Sequence, residues 1–509
     1  MGVSEAGFED RIDLAAELVG GAVIFANDDF FAEKENLLKK SPAIFIDGKY
    51  TDRGKWMDGW ESRRRRTPGH DYCLVRLGLA GVIHGVVVDT AHFKGNYPKG
   101  CRIEACAVDG QPTPAELESS NVEWIEILPR VDLQGDHKNR FPVRNSKRFT
   151  HLRFSIFPDG GVARLRVHGE VVPPKRWLGR RGQRVDLASV ENGALVIGAN
   201  DMFFGSRNNL IMPGRSVNMG DGWETKRSRK EAPDYCVVRL AAEGAIEHVE
   251  IDTNHFKGNF PESAALHGTV AAKDASFDEL CADEKNWTEI LPRTKLQAHT
   301  RHHYDELRSS LPFTHIRLRI YPDGGVSRLR LWGVVSERGR ATSILQALNM
   351  TSEKEAAALL FPCLASEPWA QNMARARPFA NLDAMKRAAK KAAAALAPKD
   401  WRIAFAAHPR IGSKPKGAGA HAAWSKGEQS RVAMEDAALV AKLAKVNRAY
   451  EKKFGHVYLV CATGKSGDEL LAIAEKRIGQ SKASEFERAK EEQLKITDLR
   501  LEKLLGGAG

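Results

Sequence analysis

The 509-residue sequence lacks the features that mark membrane and secreted proteins. No run of about 18 or more apolar residues occurs, which excludes a helix long enough to cross a bilayer. The seven cysteines are scattered and form no Cys-x-x-Cys pair, which argues against a disulfide framework or a zinc site of that spacing. A secretion signal begins with basic residues and continues with an apolar segment. The N-terminal residues of this chain are acidic instead, so no secretion signal is expected. These absences predict a cytoplasmic protein.

The sequence also lacks a concentrated basic surface, although its net charge is +12. The run Arg63–Arg66 is the strongest basic cluster, but aromatic residues do not recur beside the basic clusters as base-stacking platforms would. Nucleic acid is therefore not expected as a partner. Basic clefts also attract small anions, so we expect small anionic ligands.

A long internal repeat is the most informative feature of the chain. Residues 88–97 return as residues 251–260 with seven of ten positions identical. Four further segments return in the same order: residues 57–61 as 220–224, residues 71–73 as 234–236, residues 126–130 as 289–293, and residues 158–162 as 322–326. The repeat predicts a tandem duplication, with one domain over residues 1–175 and a second over residues 176–336.

Each copy has the pattern of an antiparallel β domain. Leu152, Phe154 and Ile156 alternate with polar residues, and the Pro-Asp-Gly-Gly segment 158–161 is typical of a turn before another alternating segment. Short strands of this kind over roughly 150 residues favour a jelly roll or β-sandwich. The fold class expected for residues 1–336 is thus two tandem all-β domains.

The character of the chain changes after about residue 340. Alanine and lysine dominate residues 385–396, a composition that strongly favours helix, and Pro398 is expected to end that helix. Further helices are predicted near residues 430–452, 467–478 and 484–505. Residues 345–509 are therefore predicted to form an all-α domain, joined to the β domains by the polar segment 336–340.

Each β copy gathers side chains that suit acid/base chemistry and anion binding. They are Glu61, Arg63, His92, Lys94 and Asn96 in the first copy and Glu224, His255, Lys257 and Asn259 in the second. A carboxylate and an imidazole can exchange protons, while lysine and arginine can hold a substrate anion. A divalent metal bound by Asp89, His92 and their neighbours is an alternative.

These motifs resemble those of allantoicase. Residues 54–64, 89–96 and 158–166 carry the resemblance, which extends over residues 8–335 together with the duplication. It implies a pair of jelly rolls that hydrolyse allantoate to ureidoglycolate and urea. Glu61 or His92 would then move the proton, and Lys94 or Arg63 would hold the carboxylate. One composite site and two separate sites both remain open, and so does a front half that only binds ligands.

The helical part contains three polar clusters, at residues 407–412, 425–429 and 447–455. Taken alone, His408 before Pro409 suits a turn, and Ser425 with Glu428 suits a helix capping box. Gly464-Lys465-Ser466 is not a phosphate-binding P-loop, because Leu459 stands where that motif requires its first glycine.

Together these clusters resemble 2-oxo-4-hydroxy-4-carboxy-5-ureidoimidazoline (OHCU) decarboxylase over residues 345–505, including residues 377–379 and 496–501. The resemblance implies that His408 carries the proton, Glu428 orients it and Arg500 faces the charge of the substrate. It also implies a pocket lined by Pro409, Ser425, Gln429, Val460, Cys461, Ala462, Thr463 and Gly464. No cofactor is implied for this reaction, which gives S-allantoin.

The two resemblances lie on separate stretches of chain and fall in one pathway. The sequence therefore predicts a bifunctional enzyme of purine (urate) catabolism whose partners are small anionic ureido substrates, allantoate and OHCU. A ring-opening step separates the two reactions, so direct channelling between them is not implied. A homo-oligomer is expected, without membrane or nucleic acid.

Overall fold

The computed structural model of the protein describes residues 7–173, 181–228, 232–282, 284–411 and 437–506. It contains two compact units, Met1–Arg340 and Ala341–Gly509. The first unit holds both copies of the repeat and the second holds the helical part.

The first copy is built almost entirely of antiparallel strands. In order they are β1 (Ile12–Asp13), β2 (Ala22–Ala26), β3 (Tyr50–Thr51), β4 (Gly54–Lys55), β5 (Trp60–Glu61), β6 (Asp71–Asp89), β7 (Gly100–Cys106), β8 (Ile125–Asp132), β9 (Lys138–Pro142), β10 (Arg148–Phe157), β11 (Gly161–Val162) and β12 (Arg164–Val171). A single α-helical turn, Pro114–Leu117, begins with a capping box at Thr113.

The second copy repeats this arrangement. Its strands are β13 (Arg184–Asp186), β14 (Leu195–Ala199), β15 (Trp223–Glu224), β16 (Asp234–Asp252), β17 (Ser263–Thr269), β18 (Thr288–Lys295), β19 (Arg301–Tyr304), β20 (Pro312–Tyr321), β21 (Gly325–Val326) and β22 (Arg328–Val335). A short helix, Phe277–Ala282, lies between β17 and β18. We refer to the two copies as repeat 1 and repeat 2.

One long strand connects the two layers of each sandwich. The first half of β6 pairs with β2 and β10, whereas its second half pairs with β12 and β9. In register, Leu152 lies opposite Val75 and Leu165 lies opposite Val88. The long strand β16 makes the matching pairs in repeat 2. In each repeat these strands form one eight-stranded sheet that passes through the long strand, and its buried apolar residues belong to the core. The predicted β-sandwich is confirmed.

A tryptophan anchors the polar motif of each repeat to its core. Trp60 and Trp223 are fully buried, and their indole N–H groups donate to the Asp28 and Asp201 carbonyls, each at 2.8 Å. In each of these Gly-Trp segments the tryptophan packs in the core and the glycine suits a turn. These structural functions account for much of the similarity between the two copies of the segment. The acidic residue that follows each tryptophan is only partly buried.

Among the described residues of the second unit, all regular secondary structure is α-helical. Its helices are Glu337–Met350, whose first turn belongs to the first unit, Glu353–Leu364, Glu367–Arg375, Leu382–Ala394, Pro398–Ala406, Ala437–Phe454, Gly467–Ile478 and Lys482–Leu504. The segment 336–340 is thus largely the start of a helix. None of the described helices is long and apolar enough to cross a membrane.

Pro398 has a different role from the one expected. The preceding helix ends at Ala394, and Pro398 is the first residue of the next helix, Pro398–Ala406. Proline suits this position because its missing N–H would have no partner inside the helix anyway. Ser466 begins the helix Gly467–Ile478 with a capping box to Glu469.

Candidate active sites

The candidate site of repeat 1 contains a carboxylate–amide pair. Strand β5 places Glu61 beside β11, and the loop after β6 places Asn96 next to it. The Asn96 Nδ2 donates to Glu61 Oε1 at 2.7 Å. Burial raises the pKa of the Glu61 carboxyl, and the hydrogen bond from Asn96 opposes part of that rise. A carboxyl with a raised pKa is suited to proton transfer near neutral pH.

Repeat 2 has the same pair, Glu224 with Asn259, at the side of an open cleft of about 590 Å³. The cleft brings cations and carboxylates together from four parts of the chain. Its lining residues are Phe204, Glu224, Thr225, Arg227, Gly258, Asn259, Phe260, Glu262, Lys295, Leu296, Pro322, Asp323 and Gly324. Such a mixture suits a small polar anion with several N–H groups, because both charges can be met.

Four charged residues of this cleft were not among the sequence-predicted site residues. Arg227 follows Glu224 closely, and Asp323 belongs to the repeated Pro-Asp-Gly-Gly turn, so both carried some signal. Glu262 and Lys295 differ from their counterparts in repeat 1, Lys99 and Asp132. A search for residues shared by both copies therefore passes over them.

The two predicted histidines hold loops in this structure. His92 and His255 both have φ of 70°, in the left-handed region that is uncommon for residues other than glycine. The backbone N–H of His92 donates to Asp136 Oδ1 at 2.8 Å, and that of His255 donates to the His299 Nδ1 at 2.8 Å. These contacts make each histidine the centre of a tight loop.

The imidazole rings also contact backbone carbonyls. His92 Nε2 lies 3.2 Å from the Ala43 carbonyl, and the ring stacks on Phe45 with centroids 5.8 Å apart. His255 Nε2 lies 3.0 Å from the Ser216 carbonyl. His255 is not one of the described residues that line the cleft. The described contacts of both imidazole rings thus include a backbone carbonyl of a neighbouring loop.

The predicted cations of repeat 1 are exposed and paired with acids outside the motif. Arg63 Nε donates to Asp28 Oδ2 at 2.6 Å, and Lys94 Nζ lies 3.9 Å from Asp136 Oδ2. Lys257 is exposed in repeat 2. None of the contacts described for these three side chains joins them to the carboxylate–amide pair, although exposure leaves lysine and arginine free to reorient.

The predicted metal ligands do not form a coordination cluster. Among the residues that the structure describes, no group of three or more histidine, cysteine, aspartate or glutamate side chains could hold a metal ion. Asp89 Oδ1 accepts a hydrogen bond from the Ala91 N–H at 2.9 Å, which uses it to shape the loop. The residues present do not fit the suggested divalent metal site.

The helical unit brings several of the predicted decarboxylase residues to one small cavity of about 20 Å³. Its lining residues are His408, Pro409, Ile411, Tyr458, Leu459, Val460, Cys461, Ala462, Thr463, Ile496 and Leu499. His408 follows the end of the helix Pro398–Ala406, whereas the segment 458–463 comes from a different part of the chain. Six predicted residues therefore meet at this cavity.

The remaining predicted residues have different positions. Arg500 is fully buried on the helix Lys482–Leu504, the helix that supplies Ile496 and Leu499 to the cavity, and its Nη1 donates to the Pro362 carbonyl at 3.3 Å. Gly464 is exposed next to the lining segment and has φ of 82°. Ser425, Glu428 and Gln429 lie outside the described residues.

Three charged side chains fix the backbone of the segment 459–463. Arg477 Nη1 donates to the Leu459 carbonyl at 2.8 Å, Glu492 Oε2 accepts from the Cys461 N–H at 2.8 Å, and Lys465 Nζ donates to the Cys461 carbonyl at 2.9 Å. The hydrogen bond from the Cys461 N–H contributes to lowering the pKa of the Glu492 carboxyl, although burial opposes it. The cavity wall is thus held by ionic hydrogen bonds.

Comparison with known proteins agrees with this division of the chain. The model of the allantoicase repeat matches residues 12–172 and again residues 185–336, more than half of the chain. The chain belongs to the allantoicase family. The model of OHCU decarboxylase matches residues 349–502. The predicted combination of a hydrolase and a lyase of purine catabolism, which act on allantoate and OHCU, is confirmed by these family matches.

Individual relatives cover the allantoicase part almost completely. An allantoicase from Dictyostelium discoideum is 50% identical over 325 residues, covering 63% of this chain and 86% of the relative. The crystal structure of allantoicase from Saccharomyces cerevisiae has 35% identity and a TM-score of 0.53, covering 65% of this chain and 98% of that one. A crystal structure of OHCU decarboxylase with (S)-allantoin has 32% identity and a TM-score of 0.26, covering 28% of this chain and 95% of that one.

Proposed function

We propose that the cleft of repeat 2 binds allantoate and that Glu224 exchanges protons with it during hydrolysis. The observation that carries the proposal is the position of the Glu224–Asn259 pair in a cleft that also holds Arg227 and Lys295. Two cations suit the carboxylate of allantoate, and the carboxylates of Glu262 and Asp323 suit its ureido N–H groups.

The reaction needs one water molecule and two proton movements. The water oxygen forms a bond to the central carbon while the bond from that carbon to one ureido nitrogen breaks. One water proton reaches the departing nitrogen and completes urea, and the other remains on the hydroxyl of ureidoglycolate. A carboxyl group in the cleft can accept the first proton and deliver it, and Asn259 keeps Glu224 oriented for this transfer.

The site of repeat 1 is assigned a secondary contribution. Its Glu61–Asn96 pair repeats the geometry, and the raised pKa of Glu61 favours its acid form. However, Asp132 stands where repeat 2 has Lys295 and Lys99 stands where repeat 2 has Glu262, so the cation and the acid of this part of the site exchange places. We assign His92 and His255 to loop positioning, and Arg63, Lys94 and Lys257 to attraction of the substrate from solvent.

For the helical domain we propose that His408 delivers a proton to the ureido-bearing carbon of OHCU after carbon dioxide departs. The bond to carbon dioxide breaks, its electron pair forms a double bond to the neighbouring imine carbon, and the imine electrons move onto the nitrogen. His408 then protonates the former imine carbon, while the hydroxyl proton passes to the nitrogen and the hydroxyl becomes the carbonyl of S-allantoin. His408 lies at the cavity with Pro409 and the segment 460–463. Glu428 would orient the imidazole and Arg500 would face the substrate charge, with Ser425, Gln429 and Gly464 completing the pocket.

The cellular setting is a further part of the proposal. We assign both activities to the cytoplasm, supported by cysteines that form no disulfide in the part of the chain that the structure describes. A homo-oligomer is retained as the proposed state, with small ureido anions as the ligands. The domain boundaries near residues 175 and 340 belong to the same proposal.

Substitution of the two matched glutamates tests the hydrolase proposal. We expect Glu224→Gln to lower the rate of urea release from allantoate by about 10²- to 10⁴-fold, because the amide cannot exchange the proton. Glu61→Gln is the matched control and should retain most of the activity. A fully active Glu224→Gln variant, or loss of activity only in Glu61→Gln, would show that the assignment to repeat 2 is wrong.

A further inference from the structure

A lysine of repeat 1 contacts the Asp-Gly-Trp-Glu segment of repeat 2. Lys40 follows the short 3-10 helix Lys34–Leu38, and its Nζ lies 2.7 Å from Asp221 Oδ1. Asp221 begins the Asp-Gly-Trp-Glu segment that ends at Glu224. The contact therefore joins one repeat to the segment that carries the proposed proton-transfer group of the other.

The carboxylate of Asp221 is buried and receives hydrogen bonds on both oxygens. Its Oδ2 accepts from Arg328 Nη2 at 3.0 Å and from the Val217 N–H at 3.2 Å, while Oδ1 accepts from Lys40. Although burial opposes them, Lys40 and Arg328 together lower the pKa of the Asp221 carboxyl. Removal of one hydrogen-bond partner from a buried carboxylate costs free energy. These hydrogen bonds therefore hold the Asp221 carboxylate in a single position.

The corresponding carboxylate of repeat 1 is held in another way. Asp58 Oδ2 accepts both from Arg164 Nη2 at 2.8 Å and from the Ile44 N–H at 3.0 Å. These partners all belong to repeat 1 itself. Asp221 has the matching arginine, Arg328, and in addition the lysine that repeat 1 supplies. The two repeats therefore hold the corresponding carboxylates with different sets of partners.

The segment that Asp221 anchors leads directly to Glu224, and its Met219 Sδ lies 3.5 Å from Asn259 Nδ2. The Ser216 carbonyl contacts His255 Nε2 at 3.0 Å and accepts from Asn254 Nδ2 at 3.1 Å. At the other end of the segment, the Gly222 carbonyl accepts from Asn209 Nδ2 at 2.9 Å, immediately before β15 presents Glu224. A shift of Asp221 would thus be transmitted to both His255 and Glu224.

We propose that Lys40 is a positioning residue for the hydrolase site of repeat 2, and that this site is complete only when repeat 1 supplies it. The inference rests on the proposed function of Glu224. Lys40 touches no substrate in this account. It fixes the Asp221 carboxylate and, through the segment 216–222, the orientation of the Glu224 side chain.

The test compares Lys40→Met and Lys40→Arg with Lys273→Met in the full chain. Lys273 is a matched control, since its Nζ also makes a 2.8 Å ion pair between the repeats, with Glu170. We expect Lys40→Met to lower kcat for urea release by about ten- to a hundredfold with a smaller change in KM, because misplacement of a catalytic group acts mainly on kcat. Lys40→Arg should restore most of kcat, and Lys273→Met should remain within about twofold of the parent chain.

The melting temperatures of the variants are measured as well, so that a loss of kcat from misplaced groups can be distinguished from a general loss of stability. Equal losses of kcat in Lys40→Met and Lys273→Met, or an unchanged kcat in Lys40→Met, would overturn the inference. An active Glu224→Gln variant would instead refute the proposed function itself. If Glu224→Gln is inactive while Lys40→Met is fully active, the proposed function stands and only the inference about Lys40 fails.

Discussion

Replacement of Glu170 by glutamine would remove a carboxylate that cations of both repeats share. Glu170 lies on β12 of repeat 1, and its Oε1 is 2.8 Å from both Arg239 Nη2 and Lys273 Nζ of repeat 2. Its Oε2 lies 3.7 Å from Arg11 Nη1 of repeat 1. The side chain is only 17% exposed, so water screens these interactions weakly.

The size of the effect follows from the carboxyl pKa. Burial alone would raise it, but the charges of Arg239, Lys273 and Arg11 lower the pKa of Glu170 from 4.5 to about 2. A decrease of this size corresponds to about 3 kcal/mol of folding stability at neutral pH. Because the folded pKa is the lower one, the contribution is present above about pH 4.5 and is lost as the pH falls towards 2.

Calorimetric unfolding of Glu170→Gln and the parent chain between pH 7 and pH 3.5 tests this expectation. At pH 7 the variant should be less stable by about 3 kcal/mol, and the difference should shrink below about pH 4.5. Glu247→Gln is the control, because Glu247 pairs with Arg184 at 2.6 Å where both side chains are exposed, and it should cost less than about 1 kcal/mol. Equal effects of the two substitutions, or a pH-independent difference, would refute the reasoning.

Two further predictions concern the separation of the activities. We expect His408→Ala to lower the rate of OHCU decarboxylation by about 10²- to 10⁴-fold, measured as the loss of substrate absorbance. Urea release from allantoate should continue in this variant. Loss of both activities would contradict independent domains. We also expect a chain that ends at Arg340 to fold and to release urea, because it keeps the hydrogen bonds of Ser336 to Glu243; an insoluble or inactive product would place the boundary elsewhere.

The β-sandwich could be predicted from the sequence because its signals are local and occur twice. Leu152, Phe154 and Ile156 alternate with polar residues, and all three lie buried in β10, as that pattern requires. Four helices of the second unit were predicted from local composition and periodicity, whereas Glu337–Met350, Glu353–Leu364, Glu367–Arg375 and Pro398–Ala406 were not predicted. Pro398 shows the limit of this approach, since proline suits both the position after a helix and the first position of the next one.

The candidate sites could be predicted only in part. Glu224 and Asn259 are repeated in sequence and meet in space, whereas Lys295 lies just after the repeated segment 289–293 and is Asp132 in repeat 1, so the repeat does not mark it. The contacts of His92 depend on a left-handed backbone conformation, which residue types alone do not reveal. Lys40 meets Asp221 across 181 positions of sequence, a pairing that only the packed repeats define.

Urea release from allantoate by the purified full-length chain tests the hydrolase activity directly. We expect stoichiometric urea and ureidoglycolate, with activity that persists after removal of divalent metal by a chelator. Release that chelation abolishes would contradict the assignment of proton transfer to side chains alone. Absence of urea under every condition would contradict the hydrolase itself and leave a front half that only binds ligands.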